Sequence, residues 1–314
     1  MCTAIRFTSK NGQMFFGRNL DWSEGYGQKV VITPRGYKYP SAFLGEMSGP
    51  AVIGMAVVAD NIPLYFDCAN EHGLAVAGLN FPGYTGYEDT PVASKTNVTV
   101  YEFPFWAALN FKTVTEVKKA LPNVAIVARP VNSQYSSSDT HWLIGDHEQS
   151  IVVEYTKNGL EVFDNTVDVL ANQPGYSWHH ENLRNYLNLS SEMPENVKWS
   201  KSTLTPFGGG SLMHGLPGDY YSPSRFVRAA YLNTHYPMQS SEAANVARLF
   251  HTLTGVAMID GASEMTDGNF EKTIYTSGYS AASQTYYYNT YENPAINSVK
   301  LADYNLNSSD LILA

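Results

Sequence analysis

The clearest pattern along the chain is a paired alternation at its start. Thr3 to Thr8 and Gln13 to Arg18 flank Lys10-Asn11-Gly12 and read as a hairpin. A three-residue turn with Gly12 left-handed pairs Ser9 with Gln13, so Phe7 faces Phe15 and Ala4 faces Arg18. Even-numbered residues of both strands then share a face, which sets Arg18 diagonally from Cys2. A two-residue Asn11-Gly12 turn would instead set Asp21 opposite Cys2 and send Arg18 to the other face. The first register is preferred, with Asp21 beyond the regular strand and able to bend back toward the terminus.

Further apolar runs predict strands at Lys29 to Thr33, Ala51 to Val58, Leu64 to Asn70 and Leu74 to Asn80, with a turn at Glu71-His72-Gly73. Helical patterns follow at Val100 to Asn110 and, behind a Thr113-x-x-Glu116 capping box, at Val114 to Leu121. A second strand-rich block covers His141 to Asp146, Ser150 to Tyr155, Leu160 to Asp164 and Val167 to Ala171. Helices are predicted at Glu181 to Leu187, Ser222 to Leu232 and Ala243 to Leu253. Closing strands follow at Lys272 to Ser277, Thr285 to Thr290 and Asn297 to Lys300. Segregated strands and helices indicate an α+β fold with antiparallel sheets. Strands such as Ser150 to Val153 are too apolar for a wet face, so two packed sheets covered by outer helices are expected.

Composition narrows this to a large globular chain. Its 314 residues are 44% hydrophobic and 16% charged, with no linker or repeat to divide them, so residues 1–314 are read as one domain. A net charge of −9 without a basic cluster argues against nucleic acid or an anionic membrane surface as partner. Two cysteines, no basic-then-apolar leader and no run near the ~18 apolar residues of a membrane span point to the cytoplasm. The Asn97-Val98-Thr99 and Asn188-Leu189-Ser190 acceptor triplets are then without consequence. Most of the 22 tyrosines fit sheet filling.

Several chemistries are absent from the sequence. It contains no His-Glu-x-x-His, Cys-x-x-Cys or P-loop, and Gly208-Gly209-Gly210 lacks the dinucleotide pattern, so no metal or cofactor is expected. His179-His180 is read as exposed or capping, and Gly278-Tyr279-Ser280 as a turn. What remains is Cys2. Removal of Met1 would give one residue a thiol and a free α-amine, whose reference pKa of about 8 lies nearer neutrality than most side-chain bases. Such self-activated termini are a form of nucleophilic catalysis. Arg18 would stabilise the thiolate and disfavour the protonated amine; Asp21 has the opposite effect on the amine and is assigned chiefly to orienting it by hydrogen bonding. Asn80 and Asn172 could supply donors to an oxyanion, although each also reads as a strand-ending turn residue.

Seven segments extend this reading: Met1-Cys2-Thr3-Ala4, Phe16-Gly17-Arg18-Asn19-Leu20-Asp21, Asp67-Cys68-Ala69-Asn70-Glu71-His72-Gly73-Leu74, Gly78-Leu79-Asn80-Phe81-Pro82-Gly83-Tyr84, Ala171-Asn172-Gln173-Pro174, Gly215-Leu216-Pro217-Gly218-Asp219 and Ser222-Pro223-Ser224-Arg225-Phe226-Val227-Arg228. In this order they closely resemble the choloylglycine hydrolase family of bacterial bile salt hydrolases, from the first residue to about Asp310. The resemblance implies an N-terminal nucleophile hydrolase fold, a four-layer αββα sandwich, assembled as a homotetramer. It implies hydrolysis of the amide joining a bile acid to glycine or taurine, through a thioester on Cys2. It further implies that the Cys2 amine accepts the proton, that Arg18 and Asp21 flank it, and that Arg225 supports the charged cluster. The Asn172 side chain and the Asn80 backbone N–H are the implied oxyanion donors.

In the family's penicillin V acylases a Tyr usually stands at the position of Asn80, which favours the bile salt branch. Ala171, where a Thr is common, and the bulky Asp219-Tyr220-Tyr221-Ser222 bear on loop shape and amino acid preference. Loops holding Leu20, Trp22, Tyr26, Ile62, Leu64 and Tyr135 are the expected walls for the steroid, whose apolar area would supply much of the binding. Two rivals remain open: a penicillin V or related N-acyl amide hydrolase, and a non-catalytic, aromatic-lined binding protein.

Overall fold

The computed structural model describes residues 1–314. The opening hairpin adopts the three-residue-turn register. Strand Cys2–Thr8 pairs with Met14–Trp22 so that Ala4 faces Arg18 and Phe7 faces Phe15, whose rings stack at 5.4 Å. Ser9 donates its N–H to the Gln13 carbonyl around Gly12, at φ 76°. One expectation is corrected here: the second strand continues to Trp22, so Asp21 lies within it. The bend-back is a pair of backbone contacts, Asp21 N–H to the Met1 carbonyl and the Met1 amine to the Asp21 carbonyl.

This hairpin sits inside a six-stranded antiparallel sheet ordered Val169–Leu170, Cys2–Thr8, Met14–Trp22, Lys272–Ser280, Thr285–Thr290, Asn297–Lys300. The second sheet has eight strands, ordered Gly159–Asp164, Ser150–Thr156, Thr140–Gly145, Ala75–Asn80, Ile62–Asn70, Val52–Ala59, Lys29–Thr33, Ile312–Leu313. Its side chains alternate between two cores, as a pleat of period two requires. Val30, Ile32, Ala75, Ala77 and Val152 join the hairpin's Ala4, Phe16 and Leu20 between the sheets, whereas Val31, Val76, Ile151 and Val153 face the helices outside. Both faces are dry, which is why these strands are almost uniformly apolar.

Helices close the outer layers. Over the eight-stranded sheet lie α1, Phe103–Asn110, and α2, Val114–Ala120, the latter with its Thr113/Glu116 capping box formed. Next come α3, Tyr176–Asn182, then α4, Ser222–His235, and α5, Glu242–Thr254; Phe226, Ala229 and Leu249 of the last two pack on the six-stranded sheet. The architecture is therefore α+β, a four-layer αββα sandwich.

Local differences from the sequence reading have local causes. α1 begins at Phe103 rather than Val100, because Glu102 turns back to take the Thr99 N–H and hydroxyl. Thr96–Thr99 and Val124–Val127 form an unforeseen parallel pair. Gly278-Tyr279-Ser280 is strand, not turn. The third helix starts at Tyr176, five residues before the expected Glu181.

Candidate active site

Hairpin register decides what Cys2 meets. Cys2 pairs with Leu20 and Ala4 with Arg18, so Cys2 and Arg18 project to the same face as diagonal neighbours, and Arg18 Nη2 donates to Cys2 Sγ at 2.7 Å. The guanidinium is 1% exposed and its other nitrogens are all engaged: Nη1 with the Phe66 and Gly78 carbonyls at 3.1 and 2.8 Å, Nε with the Asn19 carbonyl at 3.2 Å. Burial alone would lower its pKa; Cys2, Tyr275, Asp67 and Asp21 outweigh that, and Arg18 is held more firmly charged than usual. The fork is thus a fixed cation directed at the sulfur. Behind it, the buried Asp67 carboxyl accepts from Tyr275, Ser277 and Tyr286 hydroxyls at 2.7, 3.1 and 2.6 Å.

On the other side of Cys2 stands Arg225, placed by the first turn of α4. Its Nη1 donates to the Cys2 carbonyl and Thr3 Oγ1, its Nη2 to Asn172 Oδ1 at 2.6 Å, and its Nε to the Tyr220 carbonyl. Asn172 follows strand Val169–Leu170, which pairs with the first strand, and its Oδ1 also accepts from Cys2 N at 2.7 Å. Two donors on Oδ1 settle the orientation of the side-chain amide. Nδ2 then faces the Asn80 carbonyl at 2.7 Å and keeps a second N–H for another acceptor. Within a strand a residue's N–H and C=O point to the same edge. Because the Asn80 carbonyl faces Asn172, its N–H faces that side too, while Phe81 N–H turns to Asp139.

Asp21, expected to orient the Cys2 amine once Met1 is removed, is held by other groups while Met1 is present. Its Oδ1 accepts from Thr273 Oγ1 at 2.6 Å, and its Oδ2, 4.0 Å from Arg225 Nη1, has no hydrogen-bond partner. Burial pushes this carboxyl upward, against the terminal amine, Arg225, Thr273 and Arg18. The side-chain carboxylate bonded to the Met1 amine is Glu271, at 2.6 Å and almost buried. With Met1 in place, Cys2 N is held by Asn172, not by Asp21. Glu271 and Thr273 carried no local signal; only the fold brings residue 271 to residue 1.

A cleft of about 320 Å³ opens beside this cluster, with Tyr26, Leu64, Phe66, Gly78, Tyr101 and Tyr135 among its walls. Phe66 and Gly78 are the residues whose carbonyls hold Arg18, so the apolar cleft abuts the cysteine site. Of the residues expected to form its walls, Tyr26, Leu64 and Tyr135 line it. Leu20, Trp22 and Ile62 do not: Leu20 is buried opposite Cys2, Trp22 packs on the core between the sheets, and Ile62 packs on the outer core. The histidine pair is also corrected in part. His179 is buried, donating Nε2–H to the Asn172 carbonyl at 2.9 Å, while His180 points away to Thr166. Both cysteines are free, and no three His, Cys, Asp or Glu residues are grouped to hold a metal ion.

Comparison with known proteins sharpens the picture. Residues 2–314 match the family model of linear amide C-N hydrolases, choloylglycine hydrolase family. The chain is 54% identical over 314 residues to a bile salt hydrolase/transferase of Bifidobacterium longum subsp. longum, covering 99% of each sequence. A crystal structure of the C2A mutant of the conjugated bile acid hydrolase from Clostridium perfringens superposes with a TM-score of 0.94 at 36% identity, covering 100% of this chain and 96% of that one. A penicillin V acylase from Agrobacterium tumefaciens shares the fold at 18% identity, with a TM-score of 0.79 and 99% and 90% coverage.

Proposed function

Since the chain belongs to the choloylglycine hydrolase family of linear amide C-N hydrolases, we infer that it hydrolyses the amide between a bile acid and glycine or taurine. The observation that carries the mechanism is Arg18 Nη2 at 2.7 Å from Cys2 Sγ, a fixed cation on a thiol at the second position of the chain. Removal of Met1 turns Cys2 N from an amide into an amine beside that thiol, able to take its proton. The thiolate attacks the amide carbon, and the oxygen that gains the carbonyl electron pair is received by the free Asn172 Nδ2–H and the Asn80 N–H. Collapse breaks the C–N bond, the departing amine takes a proton from the Cys2 ammonium, and a thioester to the bile acid remains. Water, deprotonated by the same amine, attacks the thioester and returns the thiol. In this reading Arg225 keeps Asn172 oriented through Oδ1, Asp21 balances the buried arginines, and Tyr26, Leu64 and Tyr135 receive the steroid.

Deconjugation rates decide the substrate: glycocholate and taurocholate should be hydrolysed far faster than penicillin V, and the reverse order would move the chain to the acylase branch. Cys2→Ala should abolish turnover while leaving bile acid binding in place; retained turnover would refute Cys2 as the nucleophile, and a wild type that binds without turnover would leave only the binding-protein reading. A variant that keeps Met1, checked by mass spectrometry of the N-terminus, should fold and be inactive, because the lone pair of an amide nitrogen is delocalised into the carbonyl and does not take the thiol proton. The reading extends to one domain over residues 1–314, a cytoplasmic site, which two free buried cysteines support, and a homotetramer. No helix is long and apolar enough to cross a membrane.

A further inference from the structure

His141 stands behind the two oxyanion donors without reaching the cleft. It is fully buried on the Thr140–Gly145 strand, opposite Leu79, the residue before Asn80. Its Nε2 lies 2.7 Å from the carbonyl of Ala171, the residue before Asn172. Its ring lies flat on Phe81, the residue after Asn80, with centroids 4.0 Å apart and planes at 10°. One side chain thus touches the chain neighbours of both donors. A carbonyl oxygen only accepts, so Nε2 carries a proton. Nδ1 faces Glu154 Oε1 at 3.1 Å. Glu154 Oε1 in turn accepts the Tyr176 N–H at 2.9 Å. The segment from Ala171 to Tyr176, which carries Asn172, is therefore tied at one end by His141 and at the other by Glu154.

We propose that the His141–Glu154 pair is a positioning unit for the oxyanion, fixing the spacing between the Asn172 side-chain amide and the Asn80 N–H. The proposal rests on the deconjugation reading above. Oxyanion donors act within a narrow range, about 2.7–3.1 Å from the developing charge. Misplacement of about 1 Å costs on the order of 100-fold in rate. The pair touches neither sulfur nor steroid, so its loss acts on the tetrahedral states and not on ground-state binding.

The test uses the processed protein with glycocholate, and two inhibitors derived from the same bile acid. The C24 aldehyde adds to the Cys2 thiol: an S–C bond forms, the carbonyl π bond opens, and the new oxygen sits at the oxyanion position. The C24 alcohol fills the cleft but cannot be attacked. His141→Leu, which removes the donor to Ala171, should lower kcat by about 10- to 100-fold with KM changed less than threefold. Aldehyde affinity should fall with kcat/KM, and alcohol affinity should hold. His141→Gln, which keeps a donor near the Nε2 position, should recover about tenfold of the loss.

A His141→Leu protein with kcat within threefold of wild type would overturn the proposal, as would equal weakening of aldehyde and alcohol, the mark of a collapsed cleft. Should His141→Leu not fold, Glu154→Gln decides: kcat should fall at least threefold with alcohol binding unchanged, and an unaltered kcat would overturn it. Wild-type turnover is the separate control. A wild-type protein inert toward glycocholate would remove the functional reading and this proposal with it, whereas an active wild type with indifferent variants removes the proposal alone.

Discussion

Arg18 is bound so tightly that its replacement tests two roles at once. Arg18→Ala removes the cation from Cys2 and leaves the Phe66 and Gly78 carbonyls without their donor. Unsatisfied buried groups cost about 1–3 kcal/mol each. The variant should be less stable, and Cys2, without its charged donor, should react more slowly with iodoacetamide. Arg18→Lys keeps a charge but cannot span all four contacts, so it should recover the alkylation rate only in part. An unchanged rate in both variants would refute the electrostatic role. His179 offers a pH test of stability. Burial, with His141 and Arg225 adding to it and the Asn172 carbonyl opposing it, pushes its pKa down from 6.5 to about 4. The unfolded chain therefore binds the extra proton first. Stability is full above pH 6.5 and is lost progressively toward pH 4, by up to about 3 kcal/mol. His179→Gln should lose less between pH 7 and pH 4.5 in urea unfolding; an equal loss would show that this histidine stays accessible when folded. Cys2 and Arg18 were legible as a pair because one hairpin register places them on the same face. Glu271, His141, Glu154 and His179 were not, since their partners lie far along the chain and no local spacing records such contacts.

Among elements, the agreement between sequence and structure follows the sharpness of the local code. The hairpin, the Thr113 capping box, and strands Lys29–Thr33, Thr285–Thr290 and Asn297–Lys300 each carry a turn residue or alternation that fixes their bounds. Gly278 misled because glycine in a strand mimics a turn signal, whereas here its missing side chain admits α5. A Cβ there would lie 2.9 Å from Leu249 Cδ2. Gly17, its cross-strand partner, is more constrained: a Cβ would lie 2.2 Å from the Ser277 carbonyl oxygen and 2.9 Å from Leu249 Cδ2. A leucine tip can rotate, but a backbone carbonyl in a paired strand cannot yield without opening the sheet beside Arg18. Gly17→Ala should therefore destabilise by about 3 kcal/mol, at the upper end of overpacking, and Gly278→Ala by about 1 kcal/mol. Thermal unfolding of both variants checks the order, and the reverse order would mean that α5, not the strand pair, sets the tolerance. The hairpin of Val197–Trp199 and Ser202–Leu204 was unreadable for a different reason: all six residues are exposed, so no apolar alternation marks it.

That same hairpin lies in a stretch of the chain rich in exposed apolar residues. Between residues 187 and 207 the chain presents Leu187 at 84% exposure and Trp199 at 73%, together with Met193, Val197 and a fully exposed Phe207. Isolated exposed apolar residues are ordinary, but a concentration of them in one segment is the kind of surface that the homotetramer proposal requires. Aromatic residues are favoured as anchors in such contacts. The charge of −9 keeps like molecules apart at long range, so association has to come from apolar contact at short range, which this segment can supply. On the homotetramer proposal, light scattering should give four times the chain mass of 34.7 kDa. The double change Trp199→Ser and Phe207→Ser should shift the protein to smaller species as protein concentration falls. Cys2, Arg18, Asn80, Asn172 and Arg225 are brought together by one chain alone. Dissociated subunits should accordingly keep glycocholate turnover within about tenfold of the assembly, since no group contacting the reacting atoms is lost. A variant that remains tetrameric would remove the segment from the interface. One that dissociates with complete loss of turnover would show that a neighbouring copy completes the cleft.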